Sequence, residues 1–386
     1  MTKPPMLMNI PRLHDAMDKR GVDLLIMRGL ENSKYLSDFF HSGANLGYRP
    51  FVVFYFRDEA RAPAMVVPAV DLHLAMESTW IADVRAYAMA EFFTDIDTHF
   101  YPDFFAAAEA ILAERKVKGL TIGTEGENLT SGFRPKLEAL LEGNQLVDFS
   151  YDMELVRMVK TPEEILRLKR ATDITIKAHE SFRDAIRVGD TDDDLLRAVL
   201  TRMAKEGAHG ANSINIGCGP KTSFAAHSQW PIGHVMRPGD FVKVDMGAAW
   251  KGYHADFVRS YFVSHTTQRH RDIWKWLNET QIETGLSLRP GMVGGDIFDR
   301  AHAKISRHLN NFPREFVGHG LGLNSHEQPR MNHVNRTVIE PNTVVCLEFS
   351  YYHDGARHHT EDTFLITENG VEFWTESCPR ELVVKL

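Results

Sequence analysis

Two hairpin-like stretches near the C-terminal end constrain this chain most, because each carries one acid on either arm at equal distance from its turn. The first runs from Phe241 to Val263, two β-rich arms around Ala249-Trp-Lys-Gly252. Gly252 can supply the positive φ that such a turn needs. Asp245 and Asp256 are equidistant from the point between Trp250 and Lys251, so the sequence predicts that they face each other. The second runs from Val344 to Ile366 around Asp354-Gly355, a strong hairpin signal. Glu348 and Glu361 are equidistant from that dipeptide and are predicted to be opposed too. Opposed residues on one sheet face have Cβ atoms roughly 4.5–5.5 Å apart, and like charges there are destabilising unless something positive lies between them. The alternative is a pair of surface hairpins whose acids meet by chance. The apolar flanks (Val344, Val345, Leu347, Phe364, Leu365, Ile366) argue against it, since buried unpaired acids are rare.

A histidine completes the set. His319 sits in Gly318-His-Gly-Leu-Gly322, where three glycines permit close backbone approach. His326 follows seven residues later and reads as a supporting donor to a carbonyl or an oxyanion. Four carboxylates and one imidazole can hold two divalent cations side by side. Such an oxygen-rich set with one nitrogen suits manganese or cobalt best, with iron or zinc as further candidates. A metal pair of this kind activates water for hydrolysis.

The order Asp245, Asp256, His319, Glu348, Glu361 resembles that of the pita-bread metallopeptidases, the group of methionine aminopeptidase, aminopeptidase P, prolidase and the metal-free relative creatinase. The resemblance rests on Arg237-Pro-Gly-Asp-Phe-Val-Lys-Val-Asp-Met-Gly-Ala248, Gly252-Tyr-His-Ala-Asp-Phe-Val-Arg-Ser260, Gly318-His-Gly-Leu-Gly322, His326-Glu-Gln-Pro329 and Thr360-Glu-Asp-Thr363. Gly21-Val-Asp-Leu-Leu-Ile26 and Asn32-Ser-Lys-Tyr-Leu-Ser37 resemble the creatinase-type N-terminal domain. The resemblance implies that Asp245 and Asp256 bind one metal, that Asp256 and Glu361 bridge, and that His319 and Glu348 complete the second. It also implies that His227 lies near the substrate amide, and that the protein is a homodimer. Two departures stand out. Phe349-Ser350 replaces the Pro-Gly that usually follows the first glutamate, and His359 stands where an arginine usually precedes the last one.

The expected architecture is an α/β creatinase-like domain over residues 1–155, then an α+β pita-bread catalytic domain over 156–386. In the first part, apolar runs at Asp23–Arg28, Phe51–Phe56, Ala64–Val67 and Leu120–Gly123 predict strands. Ile10–Arg20, Phe104–Lys116 and Arg134–Leu141 predict helices between them. Thr161-Pro-Glu-Glu164 is a helix start, followed by helices to about Arg187 and over Thr191–Glu206. A net charge of −8 does not favour nucleic acid. Cys218, Cys346 and Cys378 are too scattered for a disulfide framework. No apolar run reaches membrane-spanning length and the N-terminus lacks a signal-peptide pattern, which suggests a cytoplasmic protein without membrane partners.

The leading functional expectation is Xaa-Pro dipeptidase or aminopeptidase cleavage of a small peptide by metal-activated hydroxide, with Glu348 managing the proton. A second expectation, motivated by the two departures, is a non-peptide reaction on a small zwitterion. Relatives resembling the family open ectoine rings or cleave dimethylsulfoniopropionate. A metal-free creatinase-like enzyme or binding module is a third, and the complete ligand set opposes it. Trp230, Tyr351 and Tyr352 are candidate pocket walls, although such aromatics more often pack in a core. Arg49 and Arg357 are candidates for a substrate carboxylate. Asp362 is a candidate support for Glu361.

Overall fold

The computed structural model describes residues 6–40, 51–88, 98–223, 230–310, 312 and 314–385. The chain forms two compact units, 1–157 and 158–386.

The first unit is built on a seven-stranded mixed sheet. Its order is Phe100–Tyr101, Asp83–Tyr87, Ala64–Pro68, Val52–Phe56, Leu24–Met27, Thr121–Thr124, Gln145–Asp148. Leu24–Met27 runs antiparallel to Val52–Phe56 and parallel to Thr121–Thr124. Alternation puts Leu24, Ile26, Val52, Phe54 and Ile122 into one core with Ala107 and Ile111 of the helix Phe104–Glu114. The helix Ile10–Arg20 begins at Asn9, whose side chain accepts from the Arg12 N–H, and ends at Gly21 in the left-handed region. It buries Leu13 and Met17, the two residues whose spacing predicts its apolar stripe.

The second unit holds two halves of similar construction, each an acid-bearing hairpin covered by two helices. In the first half the helices are Pro162–Asp184 and Asp192–Lys205. Thr161 and Glu164 form a full capping box with Pro162 at the first helical position, as the sequence predicts, although the helix stops at Asp184. These helices pack on Val242, Val244, Met246 and Ala248 of the strand Phe241–Trp250. In the second half, Gln268–Ser287 and Gly294–Ile305 pack on Val345, Leu347, Phe349, Phe364 and Ile366 of the hairpin Val344–Thr367. Each fully buried Leu or Phe side chain contributes about 1.5–3 kcal/mol. Because strands alternate, burying these residues turns Lys243, Asp245, Glu348, Ser350, Arg357, His359 and Glu361 to the opposite faces. No helix among the described residues is long and apolar enough to cross a membrane.

Candidate functional site

The second hairpin has the predicted register, with Glu348 directly opposite Glu361. Asp354 and Gly355, at φ 44 and 77, make its turn. The first hairpin corrects the prediction by two residues. Asp245 lies opposite Val258, not Asp256, and the turn is made by Lys251 and Gly252 at φ 46 and 83. Asp256 is therefore the diagonal neighbour of Asp245 on the same face. It stands across from Gly247, where a Cβ would overlap the Ala255 carbonyl oxygen. That missing side chain lets the Ala255-Asp256 backbone lean toward the strand.

The five predicted residues come together. Ligand atoms of Asp245, Asp256 and Glu361 lie within 4.8 Å of one another. His319 Nε2 is 3.4 Å from Glu361 Oε1 and 3.8 Å from Glu348 Oε1. The other ring nitrogen, Nδ1, is 3.1 Å from the Gly320 carbonyl. Nδ1 is thus assigned as the donor, which leaves the Nε2 lone pair facing the acids. Oδ1 of Asp256 and Oε1 of Glu361 are buried without a hydrogen-bond partner. Two orphaned carboxylate oxygens beside an imidazole lone pair fit a divalent cation set. The electrostatics agree. Burial, then the charges of Glu361 and Asp245, push Asp256 well above the usual carboxylate range. Burial, then Glu348 and Asp245, do the same to Glu361. Burial pushes Asp245 up to about 6, against the opposing pull of Lys243. These carboxylates repel one another where water cannot screen them, and a cation would relieve that.

Glu348 is different. Burial pushes it up, but a hydrogen bond from His359 and the charge of Arg314 outweigh that and hold it below the usual range. His359 Nε2 is 3.0 Å from Glu348 Oε2, and Arg314 ion-pairs with the same oxygen. The histidine at the departed position therefore supports the glutamate. With Glu348 and Glu361 it also forms a further possible ligand group.

Other side chains hold the site rigid. Asp362 points to the opposite face and is fully buried there, 2.8 Å from Arg259 and also paired with Arg380. Arg259 donates onward to the Glu361 carbonyl at 2.9 Å, fixing the backbone of that acid. Lys160 donates to Glu327 at 2.9 Å, with both side chains only 1% exposed. Glu327 in turn exchanges backbone hydrogen bonds with Gly320, next to His319. Its side chain accepts from the Asn324 N–H at 3.2 Å. Gly322 leaves room for that carboxylate. His326, one residue before Glu327, stacks on His319 with ring centroids 3.9 Å apart.

The acids open into a cavity of about 410 Å³. Asn212, Ser213 and Asn215 of the neighbouring strand, together with Phe316, Ser325 and His326, form part of its wall. Arg314 and Arg357 line it too. Sequence reasoning missed Arg314, Lys243, Lys160 and the Asn212–Asn215 wall, none of which carries a turn signal or a symmetric partner. Among the proposed aromatic walls, Tyr351 packs against the helix-side core and Tyr352 is 54% exposed. Trp230 is 74% exposed, and none of the three lines this cavity. His227 and Arg49 lie outside the described residues.

Comparison with known proteins places this geometry in a family. The family model described as metallopeptidase family M24 matches residues 167–368, and that of the creatinase/prolidase N-terminal domain matches residues 10–159. Over 381 residues the chain is 25% identical to the Xaa-Pro dipeptidase of Pyrococcus horikoshii, covering 97% of this chain and 98% of that one. It is 28% identical over 268 residues to an uncharacterised peptidase of Bacillus subtilis, covering 68% of this chain and 74% of the relative. The solved Xaa-Pro dipeptidase from Bacillus anthracis superposes with a TM-score of 0.82 at 22% identity, covering 97% and 99% of the two chains. The X-Pro aminopeptidase from Thermotoga maritima gives 0.81 at 21%, with the same coverage, and both likenesses establish the fold. With one of its units matched as a creatinase/prolidase N-terminal domain and the other as the catalytic domain, this chain belongs to metallopeptidase family M24 and is a metal-dependent peptidase of the pita-bread fold.

Proposed function

We propose that the chain hydrolyses Xaa-Pro dipeptides or a short Xaa-Pro N-terminus, using two divalent cations, manganese or cobalt before iron or zinc. The observation that carries this is the convergence of Asp245, Asp256, His319, Glu348 and Glu361 around two orphaned carboxylate oxygens. In this proposal Asp245, Asp256, His319, Glu348 and Glu361 would hold the cations, with Asp245 at one end of the set, His319 and Glu348 at the other, and Asp256 and Glu361 between them. Bound there, the cations would lower the pKa of water and polarise a carbonyl.

The chain's own groups do the rest. Glu348, kept ionised by His359 and Arg314, accepts a proton and returns it to the leaving amine. His326, stacked beside His319, donates to the developing oxyanion. His227 is proposed to contact the substrate amide. A cytoplasmic homodimer is part of the same proposal, for which sedimentation of the purified protein is the check.

The test is proline release from a panel of Xaa-Pro dipeptides by manganese-loaded protein, with Glu348→Ala as control. Release that disappears in the variant supports the proposal. A second reading, hydrolysis or lysis of a small zwitterion, is favoured by His359 and by the two arginines in the cavity. Metal-loaded protein that releases no proline but consumes ectoine or a betaine would establish it instead.

A further inference from the structure

Asp256 and Glu361 come from different sheets. The strand Phe257–Val263 belongs to one and Ala356–Thr367 to the other, and among the described residues no backbone ladder joins them. Side chains tie the two together through backbone carbonyls. Ser260 Oγ donates to the His359 carbonyl at 2.7 Å, and Arg259 donates to that of Glu361 at 2.9 Å. A third tie lies at Asp256, whose carbonyl accepts from Thr363 Oγ1 at 3.1 Å and from Cys346 Sγ at 3.2 Å. Ser260, Arg259 and Asp256 thus meet His359, Glu361 and Thr363 in turn, in antiparallel order.

The third tie holds a proposed cation ligand. Asp256 precedes the ladder of its own hairpin, which begins at Phe257 opposite Met246. The neighbouring bond within that hairpin runs from the Ala255 N–H to the Ala248 carbonyl at 3.0 Å. The Asp256 carbonyl itself is held from the other half. Cys346 and Thr363 are a cross-strand pair two rungs from Glu348 and Glu361, on the same face and fully buried. A carbonyl oxygen has two lone pairs and can take both donors. A thiol packs as a small apolar group and still donates, so cysteine suits this dry position. The grip acts against a repulsion. Oδ1 of Asp256 and Oε1 of Glu361 are buried without a hydrogen-bond partner, and ligand atoms of the two acids lie within 4.8 Å. Ionised carboxylates that close push each other apart until a cation lies between them.

We propose that Cys346 and Thr363 are positioning residues: by gripping the Asp256 carbonyl they set the gap between Asp256 and Glu361 and preorganise the site for its cations. This rests on the cation set of the proposed function and deepens it by naming what spaces two acids that arrive from different sheets.

Equilibrium dialysis with manganese, paired with urea unfolding of the same samples, tests this. Cys346→Ala/Thr363→Val removes both donors and should bind manganese at least about tenfold more weakly than the wild type. Cys346→Ser and Thr363→Ser keep a donor and should stay within about threefold. A role in packing alone would lower the urea midpoint and leave metal affinity unchanged. Wild-type affinity in the double variant, or a serine variant as weak as the double, would overturn the proposal. Should the double variant fail to fold, Thr363→Val, which matches threonine in shape, decides by the same measure. Weaker binding there supports the grip, and wild-type affinity refutes it. Proline release is a separate readout, so protein that binds manganese in this pattern but cleaves no peptide defeats the peptidase reading alone. If the wild type takes up neither manganese nor cobalt, the cation reading fails, and crystal structures of the wild type and of a folded donor-deleted variant settle the grip. An Asp256 carbonyl displaced by about 1 Å or more supports it, and an unmoved one refutes it.

Discussion

Replacing Lys160 with methionine should destabilise the second unit by about 3–5 kcal/mol at pH 8, the usual cost of breaking a buried ion pair from one side. Lys160 and Glu327 are 2.9 Å apart with both side chains 1% exposed, so solvent cannot take over either role. A second buried acid raises the stakes. Glu164 accepts from the Tyr253 hydroxyl at 3.0 Å. It is raised to about 7 in all, with burial pushing it up, Lys160 pulling it down and Glu327 adding to the rise. Without the lysine, two carboxylates share a dry site with no cation between them. Methionine keeps the apolar stem and leaves out the charge. Urea unfolding of the metal-loaded protein, followed by tryptophan fluorescence at pH 8 and pH 6, measures the loss. It should be smaller at pH 6, where Glu164 takes up a proton. The double variant Lys160→Met/Glu327→Gln should recover more than half of it at pH 6, where the Glu327 charge is gone and Glu164 is protonated. A single-variant loss below about 1 kcal/mol would refute the reasoning, since that is the range of an exposed pair. So would a double variant whose loss equals the sum of the two singles, because independent residues add.

The folded-state pKa of Glu164 is raised above its ordinary value, so its contribution favours folding at pH below about 4.5 and is lost as pH rises through about 7, by roughly 3 kcal/mol. Glu164→Gln should therefore flatten the pH dependence of the urea midpoint between pH 5 and 8, and an unchanged slope would contradict this. Manganese binding should displace protons from Asp256, Glu361 and Asp245, so affinity should climb with pH through about 6. Titration calorimetry at pH 6 in buffers of different ionisation enthalpy checks it, and identical apparent heats would count against it. Gly247→Ala should weaken manganese binding at least tenfold by driving the Ala255-Asp256 backbone away, an effect that equilibrium dialysis would detect. Wild-type affinity in that variant would show that the close approach does not position Asp256.

The second hairpin was legible because Asp354-Gly355 names its own turn, and the glutamate register follows from it. The first was legible only to within two residues. Its turn uses Lys251 at positive φ, and no sequence rule singles out a lysine for that conformation. In the N-terminal unit, the apolar runs at Leu24–Met27, Val52–Phe56, Ala64–Pro68 and Thr121–Thr124 announced themselves. The edge and near-edge strands Asp83–Tyr87, Phe100–Tyr101 and Gln145–Asp148 did not, being short, half-buried and without a sustained apolar run. Arg314, Lys243 and Lys160 escaped for another reason. A charged residue is ordinarily read as solvent-facing, and only the packing around it reveals the exception.

The two-residue offset in the first hairpin left its aspartates on the same side of the ribbon, which implies a parity rule for altering this enzyme. Adding or deleting two residues between the turn and either acid would slide the carboxylate along the row while keeping its orientation. A single-residue change there would send it to the helix side, among Val242, Val244 and Met246. Variation in the length of these arms should therefore come in even steps, and odd steps should be confined to the turns themselves.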